Sequence, residues 1–550
     1  MFPTRIGKIE VASIDPFALF FLLLLWASSR WFKQDFERFK KWALPMGEKV
    51  FKIKRPNRAL VISISLVFGG LFIAHLFSYL NFHAHVFDMG FVNQAVFYPF
   101  SDGKLLQADL SPYRSYLVDH FAPTLLLLSP ITSVFRSNIV VFALQAFLLG
   151  FGVYFLVAQG PLRKFRELFL LAALVLVSNR TLRAGALWDF REDIVGYVFL
   201  CLTILALIRG KILYYFIALL GYCLSKEHLG MVALGILAPI LLDRSLQYSQ
   251  AARRRLALAT LVFLMLWNVA IFGWITPTLQ KGIQDANNIT MRYGAYGATP
   301  KEIIINVLIS PRIWVELVKT KVLAWISIKY FILILIPYLY FARLAWPWLL
   351  AAFIGIAANL TSGSELQRSL HFHYDIPFMP FLMAATVIGI KKLAEAEKTQ
   401  AVRNRKLLFG LLMAISFSGR WPMYSIIEHF PTYEKVSDTF FISSTECAQI
   451  TAGDERVYPK LTHCPELRLF VLPDRCEEHP IQTLLEINFK DTSRIPGQNV
   501  QQARDMIFNK KKLCENSIFA ALLKRGAQIV RNSKSGNYVE VALPEGIFKR

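Results

Sequence analysis

Long apolar segments recur through most of the chain and are separated by short polar loops. About 20 apolar residues are needed to cross a bilayer, and shorter segments are tolerated where neighbouring helices surround them. The pattern therefore predicts an all-α polytopic membrane bundle of about 11–12 transmembrane helices, in which the first segment is short and its orientation stays open. The predicted spans are 16–30, 59–80, 137–158, 167–181, 193–208, 212–224, 229–242, 256–276, 322–342, 346–362, 374–390 and 406–424.

Basic residues are concentrated in four of the connecting loops. If each segment crosses the membrane once, all four loops lie on the same side, which the positive-inside rule identifies as the cytoplasm. These loops are 30–58, 159–166, 243–255 and 391–406. The remaining long connections and the tail are then expected outside, namely 81–136, 182–192, 225–228, 277–321, 363–373 and everything from residue 428 onward.

The composition agrees with a membrane protein. Of the 550 residues 55% are hydrophobic and only 18% are charged, whereas soluble domains carry about 25% charged residues. The formal net charge is +23, and the tail 431–550 contributes only +2 of it, from 17 Lys+Arg and 15 Asp+Glu. Because the excess positive charge lies between apolar segments, it indicates membrane orientation and argues against a nucleic-acid partner.

Three domains follow from this pattern. Residues 1–58 are predicted to form an N-terminal anchor and a basic amphipathic cytoplasmic segment, because aromatic and basic residues alternate in it. Residues 59–427 form the transmembrane domain, and residues 428–550 form a small extracytoplasmic α/β domain. In that tail the pattern predicts strands at 468–472 and 538–543 and helices at 483–487 and 516–525.

The six cysteines fall into two groups. Cys201 and Cys223 lie in apolar runs and are expected to be small core residues. The tail cysteines lack the CxxC spacing of a zinc site and suit disulfides outside the cytoplasm, in one of three pairings that the sequence leaves open. They are Cys447, Cys464, Cys476 and Cys514.

Candidate chemistry is confined to the loops predicted to lie outside. Ionisable groups near a membrane are costly and indicate function unless they pair with one another. These loops contain arginine and lysine. Arginine binds phosphate oxygens through two parallel hydrogen bonds and lysine binds them as a point charge, so the loops favour a phosphate-bearing substrate. The candidates are Asp88, Gln94, Asp119, His120, Asp189, Glu192, Lys226, Glu227, His228, Arg368, His371 and His373.

Two of these positions have structural alternatives. Asp88 lies among Val86, Phe87 and Met89, where an apolar neighbourhood makes a carboxylate a better proton acceptor, but it could equally cap a helix. Three adjacent ionisable residues, 226–228, interrupt an apolar stretch, and a buried ion pair closing a helix break would also explain them. The sequence contains no Walker A, HExxH or GxSxG motif, and no metal ligand is assigned, although a divalent metal stays an open alternative.

Five short motifs, in this order, carry a resemblance to a known family: FDMGFVNQ, DHFAP, a KE pair between helices, RYGAYGATPKEI and HFHYDIPF. The chain over roughly 60–430 resembles an uncharacterised bacterial integral membrane family, a domain of unknown function grouped with the GT-C glycosyltransferases. The resemblance implies a GT-C-like bundle of eleven or more helices and a sugar donor linked to polyprenyl phosphate or diphosphate. It also implies a catalytic acidic residue in a long first outer loop.

Carried over by position, Asp88 matches the catalytic acidic residue of the GT-C enzymes, and His120 is a second catalytic candidate. Lys226, Glu227 and His228 are candidates for substrate or phosphate binding, together with Arg368, His371 and His373. The KEH at 226–228 departs from the family, where an acidic third residue is expected. His228 therefore weakens the case for a metal bound by a carboxylate pair.

The resulting hypothesis is a multi-pass glycosyltransferase of a bacterial cytoplasmic membrane. It would move a sugar from a polyprenyl-phosphate donor to an acceptor at the outer face, with membrane lipid as its other partner. Two alternatives remain: a transporter or flippase for a lipid-linked or anionic substrate, and a non-catalytic envelope assembly protein. The sequence specifies neither the sugar, acceptor and lipid nor the oligomeric state, and it does not assign a role to the tail.

Overall fold

The computed structural model describes 55–80, 92–93, 95–101, 104–108, 115–135, 137–281, 292–297, 300–368, 373–397, 399–417, 467–471, 484–485, 528–532 and 539–543. Its first part is helical apart from a two-residue hairpin formed by β1 (Phe100–Ser101) and β2 (Lys104–Leu105). The helices up to the middle of the chain are α1 Pro56–Leu80, α2 Tyr116–Asp119, α3 Ser129–Phe135, α4 Asn138–Tyr154, α5 Phe169–Val177, α6 Arg180–Leu187, α7 Asp193–Ile208, α8 Ile212–Cys223, α9 Leu229–Ala233 and α10 Leu237–Leu242.

The second half of the bundle follows the same pattern of apolar helices joined by short turns. Its helices are α11 Gln250–Ala270, α12 Thr276–Leu279, α13 Pro300–Ile309, α14 Pro311–Leu317, α15 Trp325–Ala342, α16 Trp346–Ala351, α17 Phe353–Thr361, α18 Met379–Ala396 and α19 Gln400–Phe417. Short 3-10 or π turns connect or extend them at Pro123–Leu127, Phe155–Gln159, Pro161–Lys164, Arg166–Leu168, Leu234–Ile236, Ile271–Ile275, Gly294–Tyr296, Val318–Val322, Arg343–Ala345, Glu365–Arg368 and His373–Phe378.

The chain is a polytopic helical membrane bundle. In its described residues every predicted span from 59–80 onward is mainly helical, whereas the segment 16–30 and residues 418–424 of the last span lie outside the described residues. Within the described ranges, five helices are long and apolar enough to cross a membrane, or six if a pair bent by 66° counts as one span. They are Pro56–Leu76, Asn138–Gln159, Gln250–Leu279, Ile326–Ala351, His373–Ala396 and the bent pair Arg166–Val177 with Arg180–Leu187.

This count is lower than the 11–12 full crossings that the sequence predicts. Three of the predicted spans are short helices, Asp193–Ile208, Ile212–Cys223 and Leu229–Leu242. The predicted pair 322–342 and 346–362 is divided differently, because α15, its connecting turn and α16 join into one span and α17 follows it. Hydrophobicity identifies where helices form, but it does not say which of them cross the whole bilayer.

The helix that contains the last part of the site lies at the centre of the bundle. Of the apolar window in His373–Ala396, 89% is buried by other helices, against 28% for the window in Gln250–Leu279. Close packing depends on small residues at contacts: a Cβ on Gly152 would lie 2.3 Å from the Tyr197 ring, and the Tyr197 hydroxyl donates a 3.1 Å hydrogen bond to the Leu149 carbonyl. This contact fixes α7 against α4.

The tail contains a four-stranded antiparallel sheet in the order β4–β3–β6–β5, formed by β3 Leu467–Val471, β4 Leu484–Leu485, β5 Gln528–Asn532 and β6 Val539–Leu543. The two predicted strands are confirmed by β3 and β6. The predicted helix at 483–487 is wrong, because Leu484 and Leu485 pair with β3 and sheet pairing overrides a weak local pattern. The predicted helix at 516–525 and the four tail cysteines lie outside the described residues, whereas Cys201 and Cys223 are buried free thiols, as expected.

Candidate functional site

Helices α7 and α8 bring distant polar residues to one end of the bundle. They pack against each other as an antiparallel pair, joined by a turn at 209–211 in which Gly210 has the positive φ of 71°. The start of α7 and the end of α8 therefore lie side by side. An acidic residue is favourable at a helix N-terminus and a cation near a C-terminus, and the chain places Asp193 at the first and Lys226 just beyond the second.

These residues form a buried ion cluster. The Lys226 Nζ lies 2.7 Å from Glu192 Oε1 and 2.9 Å from Asp193 Oδ2. The Tyr116 hydroxyl donates a 2.6 Å hydrogen bond to Glu192 Oε2, and His373 Nε2 lies 3.4 Å from Asp193 Oδ2. No member of the cluster is more than 4% exposed. Five side chains from four distant parts of the sequence thus meet in one desolvated network.

The charges in the ion cluster follow from this geometry. Burial of Glu192 disfavours ionisation, but Lys226, His120 and Arg191 together outweigh burial and hold the pKa of Glu192 well below its usual value. Burial likewise opposes the charge of Lys226, but Asp193 and Glu192 raise the pKa of its amine above the ordinary value. At neutral pH Lys226 is therefore a cation and Glu192 an anion. The lysine charge is already balanced inside the protein.

A second pair, His120 with Glu227, stands beside the ion cluster and is more accessible. His120 Nδ1 lies 3.2 Å from Glu227 Oε1, and the backbone N–H of Phe121 donates a 3.1 Å hydrogen bond to Glu227 Oε2. The two side chains are 16% and 15% exposed. A proton that Nδ1 shares with the carboxylate leaves Nε2 with the lone pair that can accept a proton. We call this pair the His120–Glu227 dyad.

The surroundings set the ionisation state of residues 227 and 228. Burial of Glu227 opposes its charge, but His120, with smaller contributions from His228 and Lys226, outweighs burial and lowers the pKa of Glu227 to about 2. Burial and the nearby charge of Lys226 lower the pKa of His228 to about 3. At neutral pH Glu227 is therefore a carboxylate and His228 a neutral imidazole. A neutral His228 can share a hydrogen bond with a substrate but does not supply positive charge.

Other predicted residues occupy separate positions. Asp189 Oδ1 lies 3.9 Å from His75 Nε2, and both side chains are 2% exposed. Asp119 ends α2 next to His120 and is half-buried. Arg368 is 3% exposed and donates a 3.0 Å hydrogen bond from Nη1 to the Ser327 hydroxyl. Three further candidates lie outside the described residues, namely Asp88, Gln94 and His371.

Sequence reasoning missed several members of this region. Asp193 follows Glu192 directly and was recognisable as part of a charged motif, whereas no signal in the sequence marks Tyr116. Asp375 is buried, and its Oδ1 accepts hydrogen bonds of 2.6 Å from the Tyr330 hydroxyl and 2.8 Å from Asn359 Nδ2.

No metal centre emerges from the coordinates that can be described. In those parts of the chain, no group of three or more His, Cys, Asp or Glu residues is arranged to hold a metal ion. The described site offers an imidazole, carboxylates and cations.

The bundle and its buried ion cluster define the class of this chain as an integral membrane protein with a polar site at the ends of apolar helices. More particularly, it belongs to the family described as "Predicted membrane protein (DUF2079)", whose model matches residues 59–439. This confirms the membrane family of unknown function indicated by the sequence motifs. No curated protein and no solved structure matches the chain.

Proposed function

We propose that this protein is a GT-C-type glycosyltransferase that moves a sugar from a polyprenyl-phosphate donor to an acceptor at the outer face of a bacterial cytoplasmic membrane. The observation that carries the proposal is the convergence of the ion cluster and the His120–Glu227 dyad at one end of the bundle. Burying several charges is expensive, and apolar residues would stabilise the same contact at least as well. A network retained at that cost favours a functional role over a purely structural contact.

In the proposed reaction the donor lipid stays in the bilayer while its phosphate reaches the site. Asp88 accepts the proton of an acceptor hydroxyl as that oxygen bonds to the anomeric carbon of the sugar. The bond between the anomeric carbon and the phosphate oxygen breaks, and the lipid phosphate leaves with the electron pair. His120, oriented by Glu227, is the other candidate for accepting that same proton, and Lys226 holds Glu192 and the start of α7 in place.

The test is sugar transfer by the purified protein in lipid, using a panel of radiolabelled polyprenyl-phosphate sugars. General-base catalysis contributes about 10²–10⁴-fold, so Asp88→Asn should lower turnover by that much while the thermal unfolding temperature stays unchanged. Glu395→Gln, a change in an exposed helical ion pair, is the matched control. Near-normal transfer by Asp88→Asn would remove that residue from the mechanism.

A transporter or flippase would behave differently in the same preparation. It would move a fluorescent polyprenyl-phosphate lipid between the leaflets of proteoliposomes without cleaving the bond to its sugar. Lipid movement without sugar transfer for every donor in the panel would overturn the enzymatic proposal.

The orientation is part of the proposal. The basic loops 159–166 and 243–255 would face the cytoplasm, and the site and the tail sheet would lie outside. Reporter enzymes fused after residues 427 and 550, one active only in the cytoplasm and one only outside, test this arrangement. Cytoplasmic activity at both positions would contradict it.

A further inference from the structure

A substrate phosphate needs a cation whose charge is not already balanced. Lys226 touches two carboxylates, so it does not meet that condition. His228 is neutral at physiological pH. A phosphate entering the site must therefore meet another positive group if its charge is to be compensated in a region of low dielectric.

Arg292 meets that condition. Its guanidinium carbon lies 5.2 Å from the centre of the Tyr374 ring, over its face, and the side chain is half-buried. In the part of the chain that the structure describes, Arg292 forms no ion pair. A guanidinium stacked on an aromatic face keeps the N–H groups along its edge available for hydrogen bonds.

Two hydrogen bonds hold the backbone around Arg292 against one neighbouring segment. The Arg292 carbonyl accepts a 2.7 Å hydrogen bond from the N–H of Gly363, and the neighbouring Tyr293 hydroxyl donates a 3.0 Å hydrogen bond to the Ala358 carbonyl. Both partners belong to the end of α17 and the turn after it. The guanidinium is thus presented from an anchored segment, which lowers the entropy lost when it binds a ligand.

Two contacts connect Arg292 to the ion cluster. Tyr374, on which the guanidinium stacks, lies against His373 with ring centres 4.4 Å apart, and His373 contacts Asp193 at 3.4 Å. The charge of Arg292 also acts on His228: after burial and Lys226, it contributes to lowering the pKa of that imidazole. Arg292 is therefore close enough to the site for its charge to be felt there.

We infer that Arg292 binds the phosphate of a lipid-linked substrate through two parallel N–H···O hydrogen bonds, with Tyr374 supporting the guanidinium from behind. The inference is that Arg292 binds a phosphate. That the phosphate belongs to a sugar donor rests on the proposed function. The ligand class is a phosphate ester on a long apolar chain, because the polar site lies at the ends of the apolar helices α7 and α8. Sequence reasoning did not select this residue.

Binding is measured as thermal stabilisation of the purified protein in nanodiscs titrated with a polyprenyl monophosphate. The uncharged polyprenol of the same length and inorganic phosphate are the two reference ligands. Hydrogen bonds to charged groups are strong, so Arg292→Gln should weaken binding of the polyprenyl monophosphate roughly 10- to 100-fold. Arg292→Lys keeps the positive charge but lacks the two parallel N–H groups of the guanidinium, so it should give an intermediate loss of affinity. Arg312→Gln, an exposed arginine on α14, should bind like the unmodified protein.

Three results would overturn the inference. The first is unchanged affinity of Arg292→Gln for the polyprenyl monophosphate. The second is an equal loss of affinity for the uncharged polyprenol, which would indicate a structural role. The third is equal stabilisation by inorganic phosphate alone, which would indicate a site for free phosphate.

The two proposals fail separately in this design. If Arg292→Gln loses phosphate binding but the unmodified protein transfers no sugar, the inference stands and the proposed reaction falls. If the unmodified protein transfers sugar and Arg292→Gln binds and transfers as well, the reaction stands and the inference falls.

Discussion

Removing the positive charge of the ion cluster is the most informative perturbation. In Lys226→Met, the carboxylates of Glu192 and Asp193 remain buried at 0% and 1% exposure without the amine that lies 2.7 and 2.9 Å away. Deleting one partner of a buried ion pair destabilises proteins by about 3–5 kcal/mol, because it leaves an uncompensated charge. That corresponds to roughly a 10²–10⁴-fold shift in the ratio of folded to unfolded protein.

The pH dependence of the effect distinguishes it from lost packing. In the unmodified protein the folded-state pKa of Glu192 is depressed, so its stabilising contribution is present above the unfolded value and is lost as the pH falls through the folded one. In Lys226→Met the strongest cation opposing the effect of burial is gone, and the folded-state pKa of Glu192 rises. The variant should therefore become more stable, relative to the unmodified protein, as the pH falls from 8 to 5.

The assay is thermal unfolding in detergent across that pH range. The triple variant Lys226→Met, Glu192→Gln, Asp193→Asn removes all three charges and should recover most of the lost stability. The control Lys391→Met removes an exposed partner of Glu395 and should change stability by less than about 1 kcal/mol. An unfolding temperature of Lys226→Met equal to that of the unmodified protein at pH 8, or a loss independent of pH, would refute the reasoning.

Three further predictions concern other parts of the bundle. Gly389→Ala would place a Cβ 2.0 Å from the Phe341 carbonyl oxygen and should lower the free energy of unfolding by about 1–3 kcal/mol or more, whereas Gly69→Ala, with open space around it, should not. Asp375→Asn should retain near-normal stability in the same assay, because an amide oxygen can accept the same two hydrogen bonds and burial favours an uncharged side chain. A large loss of stability would show that a carboxylate is required. His228→Gln should lose less stability than the unmodified protein between pH 6.5 and 4, because a folded-state pKa of about 3 lets the unfolded state bind the proton first; identical pH profiles would contradict this.

The sequence predicted the helices well because membrane helices need apolar side chains along their whole length. It also indicated the polar loops that hold Glu192, Lys226 and His373. It raised a buried ion pair at 226–228 as an alternative, which the structure confirms, but it could not identify the partners of Lys226, since the contact with Asp193 spans 33 positions and depends on how α7 and α8 turn at Gly210. Favourable helix-end charges at the two ends of such a hairpin are the signal that could have suggested it.

Other features were beyond a single sequence for different reasons. Arg292 becomes distinctive only when the structure shows which cations already have carboxylate partners. Among the described residues five or six helices are long enough to cross a membrane, against the 11–12 predicted, because a short apolar helix has the same composition as part of a long one. The local pattern at 483–487 predicts a helix, but Leu484 and Leu485 form a strand. Their pairing partner, β3, lies elsewhere in the sequence, so the local pattern does not indicate the pairing.

The lengths of α7 and α8 determine how deep the site lies. With 16 and 12 residues, they rise about 24 and 18 Å from the turn at Gly210, whereas the hydrocarbon layer is about 30 Å thick. In the proposed orientation that turn lies at the inner surface, and the ion cluster then ends several ångströms short of the outer one. A water-soluble molecule would have to enter the membrane from the outer surface to reach the ion cluster. A phosphate attached to a membrane-embedded polyprenyl chain would have to move only a short distance below that surface. Bilayer lipids with longer or shorter chains would change the depth of the ion cluster below the outer surface. The thickness of the host bilayer should therefore alter how readily a lipid phosphate reaches the site.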